Sequence, residues 1–249
     1  MKILLLDIET APNTVYTWGL WDQNVGLNQI INTSYVLCWA AKWYGDKDVM
    51  FDSVYKSGAK PMLKGIHDLL DEADAVIHFN GTSFDIPTLN KEFIVHGFGP
   101  PAPYKQTDLI QVARKSFRFA SNKLDFISGH LKLGNKKKTE FTLWIDCMKN
   151  DPAAWEKMEA YNREDVNLLE RLYEKFKPWI YSHANHSIYT SGDSLVCPNC
   201  GSSDHQRRGY HYTSAAKYQR HQCQRCGMWF RSGTTLAPKP ANRTQSIRA

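Results

Sequence analysis

The stretch Lys2-Ile3-Leu4-Leu5-Leu6-Asp7-Ile8-Glu9 decides how this chain is read. Its apolar run is short and gives way to acids, the pattern of a largely buried strand that ends in carboxylates. A side-chain period of two puts Asp7 and Glu9 on one face, at the strand end where α/β sheets open their clefts. Working outward, Ser34 to Tyr44 and Val49 to Tyr55 are strand-like, with a turn at Gly45-Asp46. Lys60 to Ala73 carries helical spacing at Met62, Ile66, Leu69 and Leu70. Ala75 to Phe79 reads as a strand running into Asn80-Gly81. Helical patterns return at Pro87 to His96, Asp108 to Phe117 and Lys123 to Leu131. A last long helix is expected from Pro152, a good first-turn residue, to Lys177. Strands followed by mixed strand and helix indicate an α/β domain over residues 1–177.

The remainder is different in kind. Residues 178–196 fade into Ser, Asn, Gly and His and read as a linker. Residues 197–232 form a cysteine-bearing unit, and residues 233–249 read as a basic, disordered tail. The net charge of +6 follows this division: nine Lys/Arg against two Asp from residue 178 onward, but 22 basic and 23 acidic residues before it. A near-neutral body with a basic appendage points to a polyanionic partner, although a solubilising tail has the same composition.

The chain has 249 residues, 42% hydrophobic and 22% charged. That is ordinary globular composition and excludes wholesale disorder and fibrous architectures. No apolar run approaches the ~18 residues that span a bilayer. Asp7 and Glu9 interrupt the N-terminal apolar run too early for a signal-peptide core, so an intracellular protein without a membrane partner is expected, cytoplasmic or in the host cytoplasm if phage-encoded.

Four of the six cysteines fall in two knuckles, Cys197-Pro-Asn-Cys200-Gly and Cys223-Gln-Arg-Cys226-Gly. Two residues between paired thiolates let one tight turn aim both sulfurs at one ion, and a second pair completes a tetrahedral site. One structural Zn²⁺ in a zinc ribbon is the expectation; two disulfides or a redox pair are the alternatives, and disulfides need an oxidising compartment. His205, His211 and His221 could replace a thiol, but four thiols suffice, which leaves them as surface or nucleic-acid-facing groups. Arg207, Arg208, Tyr210, Tyr212, Lys217, Tyr218 and Arg220 interleave cations and rings, a mixture suited to phosphate contact and base stacking. An exposed hairpin with ordinary small-domain aromatics reads the same way.

Further carboxylates join Asp7 and Glu9. The segment Asn80-Gly-Thr-Ser-Phe84-Asp85 delivers one at a strand-to-helix junction. Tyr161 and Asp165 sit four apart on the last helix and share a face, which Leu168, Leu169, Leu172 and Phe176 would press against the sheet. Four converging carboxylates repel strongly unless cations lie between them. Hard oxygen ligands favour Mg²⁺ or Mn²⁺, and two such ions would also serve in-line phosphoryl displacement.

Asp7-Ile-Glu9-Thr10, Asn80-x3-Phe84-Asp85 and Tyr161-x3-Asp165 together resemble the three motifs of the DEDD-type 3′–5′ exonucleases, in the tyrosine subgroup. Thr107 to Arg114 and Lys123-Leu-Asp-Phe-Ile127 resemble intermediate helices of that family. Asp7-Ile-Glu-Thr-Ala-Pro-Asn13 with Trp18-Gly-Leu-Trp21 is similar to predicted phage and bacterial exonucleases of this type. The likeness spans residues 1–177. It implies a ribonuclease H-like mixed sheet flanked by helices, two Mg²⁺ or Mn²⁺ ions, and release of nucleoside 5′-monophosphates from a 3′ end. Asp7, Glu9, Asp85 and Asp165 would then be metal ligands, Asp7 bridging both ions, and Tyr161 would position the attacking water.

Other residues carry secondary expectations. Asp108 is read as a helix N-terminal carboxylate, with support of the metal cluster as its alternative. Trp18 and Trp21 are read as packing residues, with base stacking as theirs. Asn80 is assigned to the turn, Lys136-Lys137-Lys138 to a solvated loop, and Cys38 and Cys147 to buried thiols. The whole is expected to be a 3′–5′ exonuclease whose ribbon and tail hold nucleic acid, DNA ahead of RNA, and whose ribbon could also dock a protein. Two rivals stand beside it: an adaptor that binds strands without cutting, and a structure-specific endonuclease.

Overall fold

Each strand of the main sheet earns its place by pairing with the opening strand or its neighbours. The computed structural model describes residues 1–135, 139–189, 194–214 and 216–236. The Lys136-Lys137-Lys138 run and the tail from residue 237 on lie outside them. The chain divides into two compact units, residues 2–174 and residues 175–249 with Met1.

In the first unit, β1 (Ile3–Thr10) is the central strand of five. On one side it pairs antiparallel with β4 (Val36–Trp43), which pairs antiparallel with β5 (Met50–Ser53). On the other it pairs parallel with β6 (Ala75–His78), which pairs parallel with β7 (Lys105–Asp108). The result is a mixed sheet. A small two-stranded ribbon, β2 (Thr14–Val15) with β3 (Ile30–Asn32), interrupts the path from β1 to β4. A single turn of helix, α1 (Val54–Ser57), follows β5.

The period of two along β1 separates two environments. Leu4, Leu6 and Ile8 enter an apolar cluster with Val36 and Trp39 of β4. Met62, Leu63, Ile66 and Leu70 of α2 (Ala59–Glu72) and Ile86, Leu89 and Phe93 of α3 (Asp85–Val95) cover that face. The Trp39 indole also donates to the Met62 carbonyl at 2.8 Å, so the tryptophan is both packed and satisfied. The alternate side chains meet α7 (Pro152–Phe176). Buried Leu5 shares that side with polar contacts. Asn162 donates to Asp7, and Lys42 pairs with Glu170 at 2.5 Å while Glu170 also accepts from Gly45 N. That ion pair, nearly buried on the lysine side, ties α7 to β4.

β7 escaped the sequence reading because Lys-Gln-Thr-Asp has no apolar alternation; its order comes from pairing at a sheet edge. It leads directly into α4 (Leu109–Ser116), and α5 (Leu124–His130) and α6 (Thr142–Met148) follow before α7. α6 was not expected from the sequence either. Among the described residues no helix is long and apolar enough to cross a membrane.

The second unit holds a three-stranded antiparallel sheet of β8 (His205–Tyr212), β9 (Lys217–Cys223) and β10 (Trp229–Thr235). β10 runs through Thr235, so residues 233–235, read as tail, are strand. The stretch read as a linker contains 3-10 turns at Lys177–Trp179 and His186–Tyr189, and His186 N donates to Pro198 O at 2.7 Å.

The turn after β6 is tightly constrained. Asn80 takes a left-handed φ of 69°, the turn role expected of it. A Cβ on Gly81 would lie 2.4 Å from Cγ of the fully buried His78. The Gly81 amide instead donates to His78 Nδ1 at 3.1 Å, which leaves Nε2 to donate to Gln106 Oε1 at 3.2 Å. Burial holds this imidazole below its usual pKa, against the opposing pull of Asp108. Gly81→Ala should therefore destabilise the protein by about 1–3 kcal/mol through overpacking. Urea unfolding followed by circular dichroism measures it, and an unchanged midpoint would contradict the close approach.

Candidate active site

Asp7, Glu9 and Asp165 come together. One carboxylate oxygen from each lies within 4.8 Å of the others, although β1 and α7 are distant in sequence. Asp165 is 2% exposed and both its oxygens are closed off from solvent. At an effective dielectric near 20, each ionised pair at such separations repels by about 3–4 kcal/mol. Hard oxygens at this spacing fit a divalent cation.

Neutral donors fix the cluster. Asn162, fully buried on α7, donates from Nδ2 to Asp7 Oδ2 at 2.6 Å. Trp144 of α6 donates from Nε1 to Glu9 Oε2 at 3.0 Å. Asp85 takes a different position. Its Oδ1 accepts from the backbone amide of Ile8, between the two β1 acids, at 3.2 Å. It thus borders the group of three without belonging to the set that shares the 4.8 Å spacing. Tyr161 is buried, with its ring edge-on to Trp144 at 5.9 Å, and it lines a cleft of about 510 Å³ with Leu143, Asp146 and Lys157.

Asp108 shapes the site from further away. Its carboxylate caps α4 through Ile110 N at 3.2 Å, as a helix N-terminal acid should. It also accepts from Asn80 N at 2.8 Å and Thr82 N at 3.3 Å. One side chain therefore anchors both the helix and the loop that delivers Asp85. Cys38 and Cys147 are fully buried, as expected. Burial first, then the nearby Glu9 and Asp7, pushes the Cys38 thiol far up. Burial, Asp146, Asp151 and Glu9 push Cys147 up to about 12.

The packing role expected for Trp18 and Trp21 is overturned. Both sit on the segment between β2 and β3, where Trp18 is fully exposed and Trp21 83% exposed. Tyr16, Leu20 and Leu27 of the same segment are exposed as well. The sequence shows aromatic rings near a sheet strand, but the chain carries them away from the sheet.

In the second unit, Cys197, Cys200, Cys223 and Cys226 also gather within 4.8 Å. Cys197 and Cys226 sulfurs are 3.7 Å apart, and those of Cys200 and Cys223 3.6 Å. A tetrahedral thiolate site with metal–sulfur bonds near 2.3 Å requires about 3.8 Å between sulfurs, so the set fits a metal. The separation is far beyond a disulfide bond. A thiol hydrogen bond from Cys197 pulls Cys226 down to about 5 and leaves Cys197 itself raised, because neighbouring thiols cannot all ionise without a cation. Surface placement fails for His221, which is 3% exposed. Its ring stacks on Phe230 at 5.3 Å, and its Nδ1 lies 3.2 Å from that of His205. His211 is exposed, as expected.

The cationic residues of the hairpin are placed individually. Lys217 Nζ lies 3.8 Å from the ring centroid of Tyr210 and 5.7 Å from that of Tyr212. Arg220 lies over Trp229 at 5.1 Å and donates from Nε to Arg208 O at 2.7 Å. Arg231 covers Tyr218 at 3.7 Å. Arg207 and Arg208 are exposed on β8, where Arg208 reaches Gln206 Oε1 at 3.0 Å.

Residues 4–177 match the family model of the RNase H superfamily. The chain belongs to that superfamily. No curated protein matches it. Among solved structures it is similar to the family B DNA polymerase from the hyperthermophilic archaeon Pyrobaculum calidifontis, with 18% identity and a TM-score of 0.54. That likeness covers 71% of this chain but only 24% of the polymerase, so the chain spans about a quarter of that protein's length. At this identity the likeness speaks for the fold alone.

Within the RNase H superfamily frame, Asn162 and Trp144 are the site residues that sequence reasoning missed. Asn162 directly follows Tyr161, but no motif marks which acid it would touch. Trp144 lies on a helix that was not expected. Both donate to acids that would bind a cation, the support that orients metal ligands. Asn162→Ala should weaken Mn²⁺ binding about 10–100-fold, read by calorimetry on the folded variant; unaltered affinity would reduce the asparagine to a packing residue. In the second unit, a strong chelator should unfold the cysteine-bearing sheet, seen as loss of amide protection in β8–β10 by hydrogen exchange. Persistence of that protection after metal removal would contradict a metal-dependent fold.

Proposed function

We propose that this protein is a metal-dependent 3′–5′ exonuclease of the tyrosine DEDD type, acting on DNA or RNA and releasing nucleoside 5′-monophosphates. The observation that carries this reading is the convergence of Asp7, Glu9 and Asp165, with Asp85 held against the same strand. Superfamily membership supports nuclease chemistry, and the three motifs occur in the expected order.

Two Mg²⁺ or Mn²⁺ ions, when bound, would supply Lewis acidity for the attacking water and for the leaving oxygen. The chain's part is positioning. Asp7, Glu9, Asp85 and Asp165 would be the ligands, and Asn162 and Trp144 would hold two of them in place. The Tyr161 hydroxyl would orient the water toward phosphorus. Hydrolysis adds that water across the scissile bond, so phosphorus keeps the 5′ oxygen and the 3′ oxygen departs as a hydroxyl.

The second unit would hold one structural Zn²⁺ on Cys197, Cys200, Cys223 and Cys226. Arg207, Arg208, Tyr210, Lys217 and Arg220 are its proposed nucleic-acid contacts. Lys217 between two tyrosine rings supports that assignment, since a cation and stacking faces are presented together. Their exposure makes Trp18 and Trp21 further candidates for base stacking. DNA is the first substrate to test, and an intracellular setting is part of the proposal.

End-labelled single-stranded and duplex DNA and RNA, supplied with Mg²⁺ or Mn²⁺, test the reaction. Mononucleotides should be released from the 3′ end, and a blocked 3′ hydroxyl should slow release. Asp7→Ala/Glu9→Ala should reduce it to background, and Tyr161→Phe should slow it about 100-fold while Mn²⁺ still binds. Full activity of the folded double variant would reject the mechanism. Cleavage that ignores the 3′ block would indicate an endonuclease, and binding without release an adaptor.

A further inference from the structure

A second cleft, of about 480 Å³, lies where α4 ends. Arg114, Lys115, Ser116, Phe117, Arg118, Phe119 and Asn122 line it, with no acidic residue among them. It shares no lining residue with the cleft at Tyr161. Among the described residues, none of the three cationic side chains has an ion pair, a hydrogen bond or a ring contact with the protein. Arg114 and Lys115 occupy the last turn of their helix, where the macrodipole favours positive charge. Arg118 lies beyond the helix and gains nothing from it. Three like charges around one opening repel, and an anion between them removes that cost.

The loop that carries Arg118 is braced. Phe117 and Phe119 lie 5.4 Å apart, and Phe119 meets His130 of α5 edge-on at 5.9 Å. The cations therefore project from a fixed scaffold, which lowers the ordering cost of binding.

We infer that this cleft takes phosphate groups of a nucleic-acid backbone, a strand contact separate from the carboxylate site. The polymer's identity rests on the nuclease reading above; the anionic ligand class follows from the cleft. Cations distributed over a helix end and the following loop suit successive phosphates of a strand, and contacts of this kind hold the strand without reading its sequence.

The test uses the full chain and a 5′-fluorescein oligothymidylate of about 20 nucleotides, with Ca²⁺ in place of Mg²⁺ and anisotropy read across a KCl series. Arg114→Ala/Arg118→Ala should raise Kd about tenfold at low salt. It should also lower the slope of log Kd against log salt by about 1.4, the value for two single-strand phosphates. Arg114→Lys/Arg118→Lys should keep most of the slope. Hydrolysis of the small chromogenic ester thymidine 5′-(p-nitrophenyl phosphate) should not change, because it lacks a neighbouring backbone. Unchanged Kd and slope in the alanine variant would overturn the inference. So would an unchanged slope with lost binding of thymidine 5′-monophosphate, which would make the cleft a mononucleotide pocket. If the wild type hydrolyses neither substrate but the slope falls as expected, the proposed reaction fails and the backbone contact stands.

Discussion

Carboxylates from β1 and α7 occupy one small volume, and the first unit is organised around the cost of that placement. Asp7, Glu9 and Asp165 lie close enough for strong mutual repulsion, and Asp165 has little access to water. A chain left to minimise its own electrostatics would let α7 move away. Contacts of α7 oppose this: Asn162 donates a neutral N–H to Asp7, and the Lys42–Glu170 pair binds α7 to β4. Trp144 and the Ile8 amide hold Glu9 and Asp85 in turn. A site strained in this manner is preorganised for cations, since the geometry they need is already held.

The two faces of the sheet differ at the strand end. Leu4, Leu6 and Ile8 commit one face to a dry cluster with α2 and α3, a source of hydrophobic stabilisation. Of their alternate neighbours Leu5 is buried as well, and beyond it Asp7 and Glu9 bring carboxylates to the other face. The connection between the faces is the turn after β6, where the close approach of Gly81 to His78 and the threefold acceptance by Asp108 set the start of α3. Asp85 is the first residue of that helix. Its position is thus inherited from a glycine, an imidazole and a second acid, none of which lies in the group of three.

The second unit solves a different problem. Among its described residues, one buried apolar cluster consists of Cys197, Cys223, Met228 and Phe230, with Cys200 and Cys226 against it. The four sulfurs are thus part of the packing that organises this small sheet. Its cations are spread over tyrosine and tryptophan faces rather than over acids, so they keep their charge available to a polyanion while their positions are restrained.

Local sequence determined the elements whose physics is local. The apolar run before Asp7, the spacing from Met62 to Leu70, the reach from Pro152 and the paired Cys-x2-Cys knuckles each specify their own geometry, and the three acidic motifs could be named from them. Other features had no local signature. β7 exists because a polar segment finds a sheet edge, and α6 because its tryptophan reaches Glu9. Trp18 and Trp21 were misread because burial depends on where the backbone leads, not on residue type; the same holds for His221, which stacks on a ring from another strand. The donors Asn162 and Trp144, and the gathering of Arg114, Lys115 and Arg118 around a cleft, also became visible only in three dimensions. The residue types needed for chemistry are written along the chain, but their partners are decided by long-range packing, which brings residues more than a hundred positions apart within hydrogen-bond distance.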